Sequence, residues 1–160
     1  MTLRHGVHTT EGPEQTERLG AGLAGELGPG DVVALCGELG SGKTCFVRGV
    51  ARGLGFDGYV KSPSFTIVNI YEGGRVPIYH VDLYRVADAG ELPDLGLDDC
   101  LYGEGVTLVE WADRFPEIVP DEALVVKISR IGTGRRRIEI ARRGPGTGTG
   151  ADRLENTEGR

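Results

Sequence analysis

The stretch VVALCGELGSGKTCFVRGV, residues 32–50, decides the fold. Its first five residues, Val32 to Cys36, form a continuous apolar run, the pattern of a strand covered on both faces. Its last part sets Phe46, Val47 and Val50, continued by Leu54, at helical spacing, and Gly55 can supply the left-handed residue that stops a helix. Between strand and helix, Gly37 to Thr44 match G-x-x-x-x-G-K-[ST]. That order suits an anion. The strand delivers the loop to the carboxyl edge of a sheet, and Gly40 and Gly42 allow the dihedrals that turn several N–H groups toward one point. The helix then aims its positive end at the same place. Lys43 can bridge β and γ phosphates, and the Thr44 hydroxyl can ligate Mg²⁺. Glu38, Leu39, Gly40, Ser41, Gly42, Lys43, Thr44 and Cys45 are therefore the candidate nucleotide-binding residues. A chance glycine-rich turn is the bland alternative, and the full pattern between a buried strand and a helix argues against it.

Upstream, Leu19, Leu23, Ala24 and Leu27 recur at helical spacing behind Pro13, and Gly28 and Pro29 close the segment, so a helix is expected over 13–27. Downstream, Thr66 to Tyr71 and Val76 to Asp82 are rich in β-branched and aromatic residues around Glu72, Gly73 and Gly74, which reads as a hairpin. The interval 83–105 reads as a short helix with loops. Val106 to Glu110 is another buried strand, and Ala123 to Ser129 and Arg136 to Ala141 read as two strands joined by a glycine-containing turn. The expectation is an α/β fold with an antiparallel pair inside an otherwise parallel sheet.

The chain has 160 residues, which suits one domain, expected over 1–143. Residues 144–160 have almost nothing to bury and are expected to be a disordered tail. The net charge of −6 argues against a dedicated nucleic-acid binder, though not against a local basic patch. Cys36, Cys45 and Cys100 are widely spaced with no C-x-x-C pair, so neither disulfides nor a zinc knuckle are suggested. No run approaches the ~20 apolar residues of a membrane span, and the N-terminus lacks a signal core, so a cytoplasmic protein is expected. His5 and His8 lack a third ligand and lie in a terminus expected to be mobile.

A phosphate loop needs a carboxylate to hold magnesium, usually at the end of a neighbouring apolar strand. Asp82 and Glu110 both qualify. Either can bind the metal, directly or through water, while the other orients an attacking water; the ordinary alternative for each is a strand-end acid. No D-x-x-G or N-K-x-D occurs, so adenine is favoured over guanine. A small-molecule kinase of this size would carry an arginine-rich lid, and the segment between hairpin and Glu110 offers only Arg85.

GELGSGKT (37–44), KSPSFTIVNIY (61–71), YHVDLYR (79–85) and VEW (109–111), in that order, resemble the bacterial TsaE (YjeE) family, the ATPase of tRNA threonylcarbamoyladenosine biosynthesis. The resemblance spans roughly residues 10–141. It implies a P-loop NTPase-like three-layer fold, with a mixed, mainly parallel sheet flanked by helices, that binds ATP and Mg²⁺. It also implies two partners, TsaD and TsaB, which place the threonylcarbamoyl group on the adenosine next to the anticodon in tRNAs reading ANN codons. The ATPase resets or activates that pair. Carried over, Lys43 and Thr44 are the phosphate and metal residues, Glu110 the Walker-B-like metal carboxylate, and Asp82 the acid near magnesium and the attacking water. Ser64 and Thr66 fall in a switch-like segment, and Trp111 lines the site or the partner surface. For adenine, the resemblance points to Thr10, Glu11 and Arg135. Cys45 departs from the family's usual serine or threonine.

Arg130, Arg135, Arg136, Arg137, Arg142 and Arg143 gather near one hairpin. They read as contacts to tRNA phosphates, ATP or an acidic partner, or as a solvated edge protected by charge. His80 reads as a support for Asp82 or as packing. An ATP-binding regulatory scaffold, which would bind without hydrolysing, stands beside the kinase as an alternative.

Overall fold

The computed structural model describes residues 5–143; the tail expectation for 144–160 lies outside them. Seven strands and three α-helices follow in the order β1 (Gly6–Thr10), α1 (Pro13–Ala24), β2 (Val32–Cys36), α2 (Lys43–Gly53), β3 (Val68–Tyr71), β4 (Ile78–Asp82), α3 (Leu97–Leu101), β5 (Val106–Glu110), β6 (Leu124–Gly132) and β7 (Arg135–Arg142), with short 3₁₀ segments between. They form one mixed sheet in the order β1-β7-β6-β2-β5-β4-β3. The parallel pairings β6–β2, β2–β5 and β5–β4 occupy its centre, and antiparallel pairs close both edges.

β2 is buried along its whole length because both sheet faces are covered. Val33 and Leu35 meet the cluster formed by α1 and α2 with Phe46, Val50 and Leu23. Val32, Ala34 and Cys36 meet the opposite cluster, which Leu97, Leu101, Ala112 and Phe115 complete. The apolar run of the sequence is thus the central strand of a three-layer α/β fold. Among the described residues no helix is long and apolar enough to cross a membrane.

Two elements differ from expectation. Gly6–Thr10, in the terminus expected to be mobile, is an edge strand paired antiparallel with β7 from Gly6↔Ile140 to Thr10↔Arg136. Its side chains are mostly exposed, so backbone pairing rather than burial holds it, and no apolar pattern announces it. The first helix is regular only to Ala24, although Leu27 beyond it stays buried.

α1 and α2 pack closely where glycine stands at the contact. A Cβ on Gly49 would lie 2.0 Å from the Glu17 carbonyl oxygen, and one on Gly20 2.5 Å from that of Phe46. Since α2 begins inside the phosphate loop, this crossing fixes the loop's helix against the sheet. Gly49→Ala is expected to destabilise the fold by about 1–3 kcal/mol in chemical denaturation. Gly28→Ala, where a Cβ meets nothing within 4 Å, is expected to stay within about 0.5 kcal/mol of the parent.

Candidate nucleotide and metal site

The loop between β2 and α2 carries left-handed backbone at Gly40 (φ 78°) and Gly42 (φ 113°), the conformation for which the sequence supplies glycine. Lys43 folds back over the loop, its Nζ donating to the carbonyl oxygens of Gly37 at 2.6 Å and Glu38 at 2.8 Å. The same ammonium sits 3.9 Å from the centre of the Trp111 ring. Burial pushes the Lys43 pKa down, and the carboxylates of Glu110, Asp113 and Asp82 act against that.

The sheet register brings the two expected acids together. Asp82 and Glu110 are opposite one another across β4 and β5, and Glu110 is opposite Leu35 of β2. The Thr44 hydroxyl donates to the Glu110 carboxylate, 3.1 Å from Oε1 and 3.0 Å from Oε2. Asp82 accepts from the Ser62 hydroxyl at 2.6 Å and from the Tyr84 backbone N–H at 2.8 Å. Both acids are buried, and both line a cavity of about 380 Å³ with Lys43, Thr44, Ser64 and Trp111. A second recess of about 530 Å³, lined by Cys36, Lys127 and Arg137 with Gly37 and Ser41 of the loop, includes neither Asp82, Glu110 nor Thr44.

This donor set fits a nucleotide phosphate with a hard divalent cation. Thr44, Asp82 and Glu110 present only oxygen, the chemistry Mg²⁺ takes, and the buried Ser41 hydroxyl has no partner of its own.

The other expected residues lie around the loop. Cys45 donates its thiol to the Pro13 carbonyl at 3.3 Å, and burial raises its pKa, so it serves α1–α2 packing. Glu38 and Leu39 are exposed at the loop's crest. Arg135 pairs with Glu11 at 2.9 Å, which brings that part of the expected adenine group together; the buried Thr10 hydroxyl is bonded to Thr16 at 2.8 Å instead. Thr66 is exposed and donates to Asn69, while Ser64 lies 3.1 Å from Ser62.

Sequence reasoning missed four side-chain contacts. Arg136 Nε donates to the Ser41 carbonyl at 2.7 Å and Arg130 to that of Gly40 at 3.2 Å, so the hairpin braces the loop as well as carrying exposed charge. Arg143 is buried and donates to the Val119 carbonyl, a structural role. His80 supports Glu110, not Asp82: its Nε2 lies 2.5 Å from Glu110 Oε2. The cue was its position two residues before Asp82 on the same strand face, which makes it a diagonal neighbour of Glu110 on β5.

The family model for the threonylcarbamoyl adenosine biosynthesis protein TsaE matches residues 10–138. The chain belongs to the TsaE family. It is 46% identical over 129 residues to the tRNA threonylcarbamoyladenosine biosynthesis protein TsaE of Bacillus subtilis, covering 81% of this chain and 80% of that protein. To the TsaE of Treponema pallidum it is 38% identical over 128 residues, covering 80% and 94%. The crystal structure of Bacillus subtilis YdiB superposes with a TM-score of 0.76 at 35% identity, covering 99% of each chain. TsaE membership accounts for the unusual company of the phosphate loop with S-P-S-F-T, H-V-D-L-Y-R and E-W in one short chain.

The tether from Ser62 to Asp82 carries a local prediction. A hydrogen bond to a charged group contributes about 1.5–3 kcal/mol. Asp82→Ala is therefore expected to speed amide hydrogen exchange over residues 61–67 by about ten- to hundredfold, with β6 and β7 unchanged. Exchange at the parental rate would show that the segment is held by something else.

Proposed function

We propose that this TsaE-family chain, over residues 1–143, is a Mg²⁺-dependent ATPase that serves tRNA threonylcarbamoyladenosine formation as an accessory to TsaD and TsaB. The observation that carries the reading is the Thr44 hydroxyl bonded to the Glu110 carboxylate beside an intact phosphate loop. In this reading Glu38 to Cys45 wrap the phosphates, Thr44 and Glu110 hold the cation, and Arg135 with Thr10 and Glu11 lies at the adenine end.

Bound MgATP would supply the phosphoryl group and a divalent charge to offset its oxygens. The protein's part is positioning and charge. Loop amides and the Lys43 ammonium offer fixed positive charge where negative charge gathers during transfer. Lys43 already stands over the loop through Gly37 and Glu38, so little reorganisation is needed. Asp82, held by Ser62 and Tyr84, orients the attacking water or the metal's water shell.

Slow turnover by the isolated chain follows from the same residues. Arg85, at the cavity mouth, has its guanidinium 4.3 Å from the centre of the exposed Phe65 ring. Among the described residues no second arginine lines that cavity. A stimulating charge or a reordered segment then has to come with the partners.

The test is steady-state ATP hydrolysis by the chain alone, with TsaD and TsaB, and with the pair plus tRNA. Stimulation is expected with the pair, and Lys43→Ala and Glu110→Ala are each expected to lower the stimulated rate by at least about a hundredfold. One unstimulated rate in every mixture would sink the partnership. ATP binding without hydrolysis, with Glu110→Ala fully functional in tRNA modification, would favour a regulatory scaffold.

A further inference from the structure

Glu110 is 3% exposed, and Thr44 alone does not fix its orientation, since that hydroxyl is nearly equidistant from both carboxylate oxygens. A second partner selects one oxygen. His80, with no exposed surface, brings Nε2 to 2.5 Å from Oε2. Its other ring nitrogen, Nδ1, lies 2.9 Å from the Tyr71 hydroxyl. Tyr71 is itself anchored, lying 3.1 Å from the Lys61 carbonyl oxygen and stacking on Phe56 with ring centres 4.9 Å apart. The Glu110 carboxylate can only accept, so Nε2–H donates to Oε2, and the Tyr71 hydroxyl stands at Nδ1 on the other side of the ring. The ring is thereby held at both ends.

The chain of contacts runs from the backbone of residue 61, through β3 and β4, to the proposed metal carboxylate on β5. It enters the 61–66 segment next to the point where Ser62 binds Asp82. That segment is therefore tied to both acids by separate routes.

We infer that Tyr71 and His80 are positioning residues for Glu110: they hold its carboxylate through Oε2, and so set the affinity for the divalent cation. The inference rests on the nucleotide and metal reading above. Neither side chain would touch nucleotide or metal. Both act as outer partners that orient a ligand, and removal of such partners commonly weakens metal affinity about 10- to 100-fold.

Trp111 is the sole tryptophan and lines the cavity, so its fluorescence reports binding in the full chain. ATP is titrated without metal, and Mg²⁺ is then titrated at fixed ATP, for the parent, Tyr71→Phe, His80→Gln and Asn69→Ala. Tyr71→Phe keeps the ring that stacks on Phe56 and removes only the hydroxyl. Asn69→Ala removes another donor to the same Lys61 carbonyl, 3.3 Å away, and leaves the Tyr71 hydroxyl and the His80 ring in place. Tyr71→Phe is expected to need about tenfold more Mg²⁺ for half-saturation, His80→Gln at least as much, with metal-free ATP affinity within about twofold of the parent. Asn69→Ala is expected to match the parent. In nucleotide-free protein, Tyr71→Phe should also speed amide exchange at residues 61–64. Parental Mg²⁺ dependence in Tyr71→Phe, or equal loss in Asn69→Ala, would overturn the inference while leaving the proposed function standing. A parent that binds no ATP, or binds it indifferently to Mg²⁺, would overturn the proposed function and this inference with it.

Discussion

Everything at the site depends on the register of three parallel strands. Leu35, Glu110 and Asp82 stand level across β2, β5 and β4, on the face that α2 covers. The loop leaves β2 two residues after Leu35 and returns as α2 over that face, so Thr44 meets the carboxylate waiting there. A slip of one residue in β5 would send Glu110 to the opposite face and Val109 toward Thr44, because side chains alternate. Burial forbids that slip. Val106 and Leu108 fill one apolar cluster and Val109 the other, so the packing that stabilises the sheet also fixes the site.

The same alternation explains what could be read from the sequence. The strand–loop–helix unit is local, and each signal within it concerns neighbours in the chain; β2, the loop and α2 appear where the pattern puts them. Asp82 and Glu110 were legible as strand-end acids because each closes an apolar run. The Arg136 contact to Ser41 and the His80 contact to Glu110 join residues 95 and 30 apart, and no local pattern encodes such pairings. β1 was hidden for a different reason. An edge strand with exposed side chains is defined by its backbone bonds to β7, to which hydrophobic periodicity is blind. The abundance of glycine was visible, but its division of labour was not: Gly40 and Gly42 serve dihedral freedom, whereas Gly20 and Gly49 serve close helix contact.

A carboxylate as buried as Glu110 is costly unless it is hydrogen-bonded. Thr44 and His80 meet that cost from opposite sides, one on the loop helix and one within the sheet. Asp82 is satisfied by Ser62 and by the Tyr84 N–H. Each acid thus has one partner in its own strand neighbourhood and one on another element, a helix start or a loop. That division lets the acids be prepared before any ligand arrives while leaving the Thr44 and Ser62 hydroxyls able to exchange partners.

Backbone strain falls in the same place. Among the described residues only Ile67 (φ 69°) and Trp111 (φ 62°) are non-glycine residues with positive φ. A bulky side chain in that region costs of order 1–3 kcal/mol and persists only where its surroundings over-determine it. Trp111 follows Glu110 directly, and its left-handed turn brings the indole to Lys43 and to Tyr84, with ring centres 4.9 Å apart in the second contact. Ile67 closes the 61–66 segment, with its N–H bonded to the Pro63 carbonyl and its own carbonyl accepting the Asp82 N–H at 2.8 Å. Glycine at either position would relax the backbone and remove the side chain whose contacts hold it there. Strain beside both acids is therefore the counterpart of their fixed placement: the strands set their level, and the two left-handed residues turn the chain sharply enough for a loop and an aromatic ring to close over them.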